Sequence, residues 1–138
     1  MLDPTLRDTL QHRLDESRAE LLAALEGVTE QDFGTDLGGG QTVVLALAAL
    51  AEAERRENAE VRGESTEPPA AKTRPLPPQV VHALAGASYR SRRYLESEDA
   101  DTSSARALVD GVVERETSLA ERIRNRPPAT PPPVFPVI

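Results

Sequence analysis

The chain contains no cysteine and no tryptophan, one methionine, two histidines and only four Phe or Tyr residues: Phe33, Tyr89, Tyr94 and Phe135. Without cysteine there can be no disulfide, no thiolate nucleophile and no Cys-rich metal site. The shortage of aromatics leaves Ala, Leu and Val to supply most of the 38% hydrophobic content. Small aliphatic side chains suit closely approaching helices better than a β-sandwich. Long apolar runs are missing too. The longest uncharged one, Val43 to Ala51, is nine residues, against the roughly 20 that a membrane-spanning helix needs. Nor is there an excess of positive charge: 16 Lys and Arg face 23 Asp and Glu, for a net charge of −7. That argues against non-specific nucleic-acid binding, which draws on clustered cations to release counterions. The polar N-terminal stretch shows no export-signal pattern. The expectation is a soluble cytoplasmic protein that engages neither membrane nor nucleic acid.

What is present is helical periodicity. The 138 residues allow one domain with tails. Asp3-Pro4 offers an N-cap followed by proline at the first helical position. Leu6, Leu10, Leu14, Ser17, Leu21, Leu25 and Val28 then recur at steps of three or four, opposite a charged face that includes Arg13, Asp15, Arg18 and Glu20. Ser17 is the gap in this stripe. Thr29 to Asp32 has the form of a short capped turn. Gly38-Gly39-Gly40 has neither a preceding strand nor a following Lys-Ser/Thr, as a phosphate loop requires, so it reads as a flexible connection.

A second helix is predicted from about Thr42 to Arg62, ended by Gly63, with Val43, Leu47, Leu50, Glu54, Asn58 and Val61 on one face. Its first half is apolar on nearly all sides, as expected of a centrally buried helix. The third begins at Pro77-Pro78 and carries Val80, Val81, Leu84, Ala87, Ser88, Ser91, Tyr94 and Leu95. Gly86 interrupts it at a cost of about 1 kcal/mol relative to Ala, which a close helix crossing would explain. The fourth runs from about Ser104 to Asn125, with Ala105, Leu108, Val109, Val112, Glu116, Leu119 and Ile123 aligned, and Pro127-Pro128 ends it.

The prediction is an all-α four-helix bundle over residues 1–126 and a proline-rich tail over 127–138. The proline-containing stretch from Glu64 to Pro78 cannot be regular helix. As polyproline, 15 residues span roughly 45 Å, more than the roughly 30 Å of a 20-residue helix. A long crossover between helices two and three is therefore open, and the bundle need not be up-down-up-down. The tail ends in apolar Val134, Phe135, Val137 and Ile138. It either lies along the bundle, docks on a neighbouring chain or is disordered.

The segment Gln41-Thr-Val-Val-Leu-Ala-Leu-Ala-Ala49-Leu50, with four helices and a long second connection, resembles the DinB/YfiT-like family of bundles. Many members bind a divalent metal through three histidines, one on helix two and two on helix four. The resemblance covers the chain to Asn125. Thr42, Val43 and Leu50 match its pattern, but the histidine position on helix two falls on Ala49. On helix four the candidate positions fall on Arg115, Ser118 or Leu119. His12 and His82 lie elsewhere. A catalytic metal site normally uses three protein ligands, so the resemblance implies the fold without the metal. The thiol-transferase or isomerase chemistry of the family loses its support, and no cofactor is expected. Ala49 reads as a packing residue in a helix seam.

Glu54 and Glu116 interrupt the apolar stripes of helices two and four. A buried carboxylate needs a partner; Arg55 or Arg115 nearby, or Tyr89, Arg90 and Arg92 on helix three, could serve. The candidate polar pocket is Glu54, Glu116, His82, Tyr89 and Arg90. The blander reading places both glutamates at solvent-reaching stripe ends, pairing weakly at the rim. A Ser-His-Asp triad has no nucleophile elbow to support it. The favoured expectation is a non-catalytic, metal-free bundle that binds a small ligand or a protein. The alternative is a metal- or thiol-dependent transferase or isomerase with relocated ligands, in which Glu54, Glu116 or His82 would converge on one cavity. A homodimer formed through the Ala-rich face of helix two and the tail is a further expectation.

Overall fold

Four helices, α1 Pro4–Leu25, α2 Val43–Val61, α3 Pro77–Glu96 and α4 Thr102–Arg124, make up the computed structural model, which describes residues 1–67 and 76–127. The remaining residues include the prolines of the crossover from Pro68 to Pro75 and the tail from Pro128 onward, so expectations about them lie outside the described residues. No helix of the described residues is long and apolar enough to cross a membrane.

Local chemistry sets the helix ends. Asp3 accepts from the backbone N–H of Thr5 and Leu6, and Pro4 opens α1, satisfying donors that the first turn leaves orphaned. Thr29 and Asp32 bond each other reciprocally, backbone to side chain, at 3.3 and 3.2 Å, ahead of a single 3-10 turn at Asp32–Gly34. Thr42 caps α2 through Leu45 N–H, and Gly63 ends it with φ at 69°. The glycine triplet forms a defined turn rather than a loose hinge. Leu37 N–H bonds Gln41 C=O at 2.8 Å, and Gly38, Gly39 and Gly40 all take positive φ, which a side chain would oppose. α4 starts two residues earlier than its sequence pattern suggests, because Asp101 accepts from Ser104 N–H at 2.8 Å.

Cross-helix pairs fix the directions. Arg13–Asp110, Arg18–Glu116 and Glu20–Arg124 advance together, so α1 and α4 run parallel. Gln11–Glu96 and Asp15–Arg92 advance oppositely, so α1 and α3 are antiparallel. Gln41–Arg122 and Glu57–Arg115 make α2 and α4 antiparallel. α2 and α3 are therefore parallel, since each runs antiparallel to one of the parallel helices α1 and α4. The order is up, down, down, up. The link between α2 and α3 joins opposite ends of the bundle. The most extensive packing is within the two parallel pairs.

The apolar core is in two parts. One holds Leu21, Val43, Leu47, Leu50, Val80, Leu84, Leu119 and Ile123. The other holds Leu10, Leu14, Tyr94, Leu95, Ala105, Leu108, Val109 and Val112. Between them lie the buried polar residues Ser17, Glu54, Asn58, Ser91 and Glu116.

Two packing expectations need correction. α2 is not buried all round: Ala49 is exposed, because α2 turns Val43, Ala46, Leu47 and Leu50 inward and leaves its opposite side open. Gly86 makes no close crossing, since a Cβ there would meet nothing within 4 Å. The glycine that does make room is Gly111 in α4, where a Cβ would lie 2.9 Å from Glu57 Oε1 and 3.3 Å from Arg115 Nη1.

Candidate functional site

The polar layer draws on all four helices. Glu54 and Asn58 come one turn apart from α2, Ser91 from α3, Glu116 from α4 and Arg18 from α1. Arg18 Nε donates to Glu116 Oε2 at 2.9 Å, and its Nη2 lies 3.5 Å from Glu54 Oε2. One guanidinium thus serves two carboxylates. Ser91 Oγ donates to Glu54 Oε1 at 2.8 Å. Asn58 Nδ2 donates to Ser91 Oγ at 2.9 Å and to the Glu54 carbonyl at 3.0 Å. The contact of Arg18 with Glu54 is an ion pair without a hydrogen bond, which leaves Glu54 Oε2 unpartnered, and Asn58 Oδ1 has no partner either.

Glu54 is 2% exposed and Glu116 1%. They stand at mid-height between the two core halves, not at a solvent-reaching rim, and this overturns the blander sequence reading. Burial disfavours the charged form and pushes both carboxyls above the ordinary glutamate range. For Glu54 the Ser91 hydrogen bond and the Arg18 charge oppose the rise, while the Glu116 charge adds to it. For Glu116 the opposition comes mainly from Arg18. Beside this layer, Glu57 and Arg115 form a second ion pair between α2 and α4, seated over Gly111.

Of the five pocket residues expected from sequence, only Glu54 and Glu116 belong to the polar layer. His82 and Arg90 are exposed and line a different feature, a groove of about 450 Å³ between α2 and α3. Tyr89 is 64% exposed. All three sit on the outer side of α3, whose inner side presents Val80, Leu84, Ala87 and Ser91. The partner that sequence reasoning missed is Arg18, placed there on the charged face of helix one. Its neighbour Ser17, buried with its hydroxyl bonded to the Leu14 carbonyl at 3.3 Å, was the visible signal.

Ala49, Arg115, Ser118 and Leu119 line one cavity of about 270 Å³ between α2 and α4, with Gln41, Glu114 and Arg122. Among the described residues no group of three or more His, Asp or Glu side chains is arranged to hold a metal ion. Comparison with protein families, with curated proteins and with solved structures finds no match to this chain.

Proposed function

We propose that the chain is a metal-free, non-catalytic bundle of the DinB-like type that binds a small ligand or a protein. The observation that carries this reading is Arg18. Its guanidinium, a permanent cation, stands between Glu54 and Glu116, and Ser91 takes up a further oxygen of Glu54. A reaction centre needs an open position for substrate or metal-bound water; this centre is closed by side chains from every helix. The DinB-like assignment draws support from four bundled helices whose second connection joins opposite ends, and from Ala49, Arg115, Ser118 and Leu119 lining one cavity.

Binding is supported by the α2/α3 groove. Its lining includes Ala48, Ala51, Val80, Ala83 and Ala87 beside Gly86, with Arg55, His82 and Arg90 as polar groups. An apolar lining with a few polar groups is the usual make-up of a small-molecule site. The enzyme alternative would use the raised pKa values of Glu54 and Glu116 for acid–base work, yet neither carboxylate lines this groove or the α2/α4 cavity.

Elemental analysis of the purified protein, with zinc, nickel and manganese titrations, tests the metal-free reading. The expected result is no stoichiometric metal; one equivalent bound with a submicromolar Kd would overturn it. A fragment screen read by amide NMR shifts tests the groove. Shifts gathered on Ala51, Gly86 and Ala87 are expected, and hits scattered over the surface would count against it.

A further inference from the structure

The cavity between α2 and α4 has a different chemistry from the α2/α3 groove. In a chain of net charge −7, its lining holds two arginines, Arg115 and Arg122, against one carboxylate, Glu114, with Gln41 and Ser118 as neutral hydrogen-bonding groups. Ala49 keeps the space open. Arg122 Nη1 donates to Gln41 Oε1 at 2.8 Å, a neutral acceptor, and no carboxylate among the described residues pairs with it. Arg115 uses Nη1 on Glu57, while its Nε and Nη2, and Glu57 Oε2 of the same pair, have no hydrogen-bond partner and are shut from solvent and so from the open cavity. Idle donors on a charged group are costly. The planar guanidinium fork matches the two oxygens of a carboxylate or phosphate.

We propose that this cavity is a binding site for a small oxyanion, a phosphate or carboxylate group, held between Arg115 and Arg122 with Ser118 and Gln41 beside it. Binding turns the Arg115 guanidinium from Glu57 into the cavity, where its Nε and Nη2, closed off in the empty site, gain an acceptor. Glu57 therefore competes with the ligand for Arg115, and Arg122 supplies the second cation. The site is independent of the α2/α3 groove and of the closed layer around Arg18.

Inorganic phosphate and acetate, titrated separately into the full-length protein at low salt, test the proposal, with the arginine Nε–H signals of Arg115 and Arg122 followed by NMR. Saturable shifts at both signals are expected. Saturation by phosphate alone assigns the site to phosphoryl compounds, and saturation by acetate as well extends it to carboxylates. Arg122→Gln should weaken binding by at least about tenfold, the size of one charge-assisted contact. Ala49→Leu, a change at an exposed position, should abolish binding by filling the cavity while leaving the helical circular dichroism unchanged. Glu57→Gln should tighten binding, because it releases Arg115. Linear, non-saturating shifts, or an Arg122→Gln protein that binds phosphate and acetate as the parent does, would overturn the proposal.

Discussion

Removing the Arg18 guanidinium would leave Glu54 and Glu116 buried with no cation in direct contact. Breaking a buried ion pair from one side costs about 3–5 kcal/mol, because the stranded charge is not rehydrated. Arg18→Met is expected to lose an amount in that range in urea denaturation. Adding Glu54→Gln and Glu116→Gln to it should restore most of the loss; a triple variant as unstable as Arg18→Met would contradict this account. The same carboxylates set a pH dependence. Their folded-state pKa values are raised by burial, so the stability they contribute is complete below the ordinary value of 4.5 and is lost as pH rises through the raised values. Asp32 and Asp101, held low chiefly by backbone hydrogen bonds, and Glu52, held low by Arg55, act in the opposite sense, losing stability as pH falls. Comparing Glu54→Gln with the parent cancels those contributions. As pH rises from the ordinary value of 4.5 through the raised one, the stability difference should move in favour of the variant, and a flat difference would refute the assignment. Glu54 and Glu116 were legible in sequence as breaks in apolar stripes. Arg18 was not, since helix one carries other arginines on its charged side, and only the parallel packing of α1 on α4 turns this one toward Glu116.

At the scale of the helix, what was legible is what is local. Asp3-Pro4, Pro77-Pro78 and Gly63 mark helix ends because each acts within a few residues of itself. The start of α4 was blurred because Asp99, Asp101, Thr102, Ser103 and Ser104 all offer caps, and the choice of Asp101 depends on a single 2.8 Å bond to Ser104 N–H. Mid-helix glycines show the limit of this reading. Gly86 and Gly111 look alike in sequence, yet the space around Gly86 is open and that around Gly111 is filled by Glu57 and Arg115. Gly86→Ala should therefore realise the propensity gain of up to about 1 kcal/mol, seen as a rise of a few degrees in Tm. Gly111→Ala must first displace the ends of two flexible side chains, so its gain should be smaller. Thermal unfolding of the two variants side by side decides the point, and a larger gain at Gly111 would show that the Glu57–Arg115 pair does not hold its place in solution. Ala49 belongs to the same lesson: an apolar residue in an apolar run reads as core, and the open side of α2 puts it on a cavity instead.

Across the whole molecule, the polar layer raises the question of why a bundle with two good apolar core halves keeps charges between them. Buried ion pairs add little net stability compared with apolar replacements of similar volume. Their better-attested use is to specify register and arrangement. That use fits this topology. Small aliphatic side chains dominate both core halves, and such cores tolerate sliding and exchange of neighbours. The helices are also joined in an order, up-down-down-up, that has an antiparallel competitor using the same apolar stripes. Arg18, Glu54, Asn58, Ser91 and Glu116 reach one another only when all four helices sit at one height and in one order. Replacing the set by Arg18→Met, Glu54→Leu, Asn58→Leu, Ser91→Ala and Glu116→Leu is therefore expected to leave the urea midpoint equal or higher. It should also blur the amide NMR spectrum, with broadened signals and faster hydrogen exchange in both core halves. The midpoint reads stability and the spectrum reads uniqueness, so the two roles separate. A replaced layer that keeps sharp, dispersed signals and native exchange protection would show that shape alone specifies this bundle. Blurring at undiminished stability would show that Arg18 and its two glutamates hold the helices to a single arrangement.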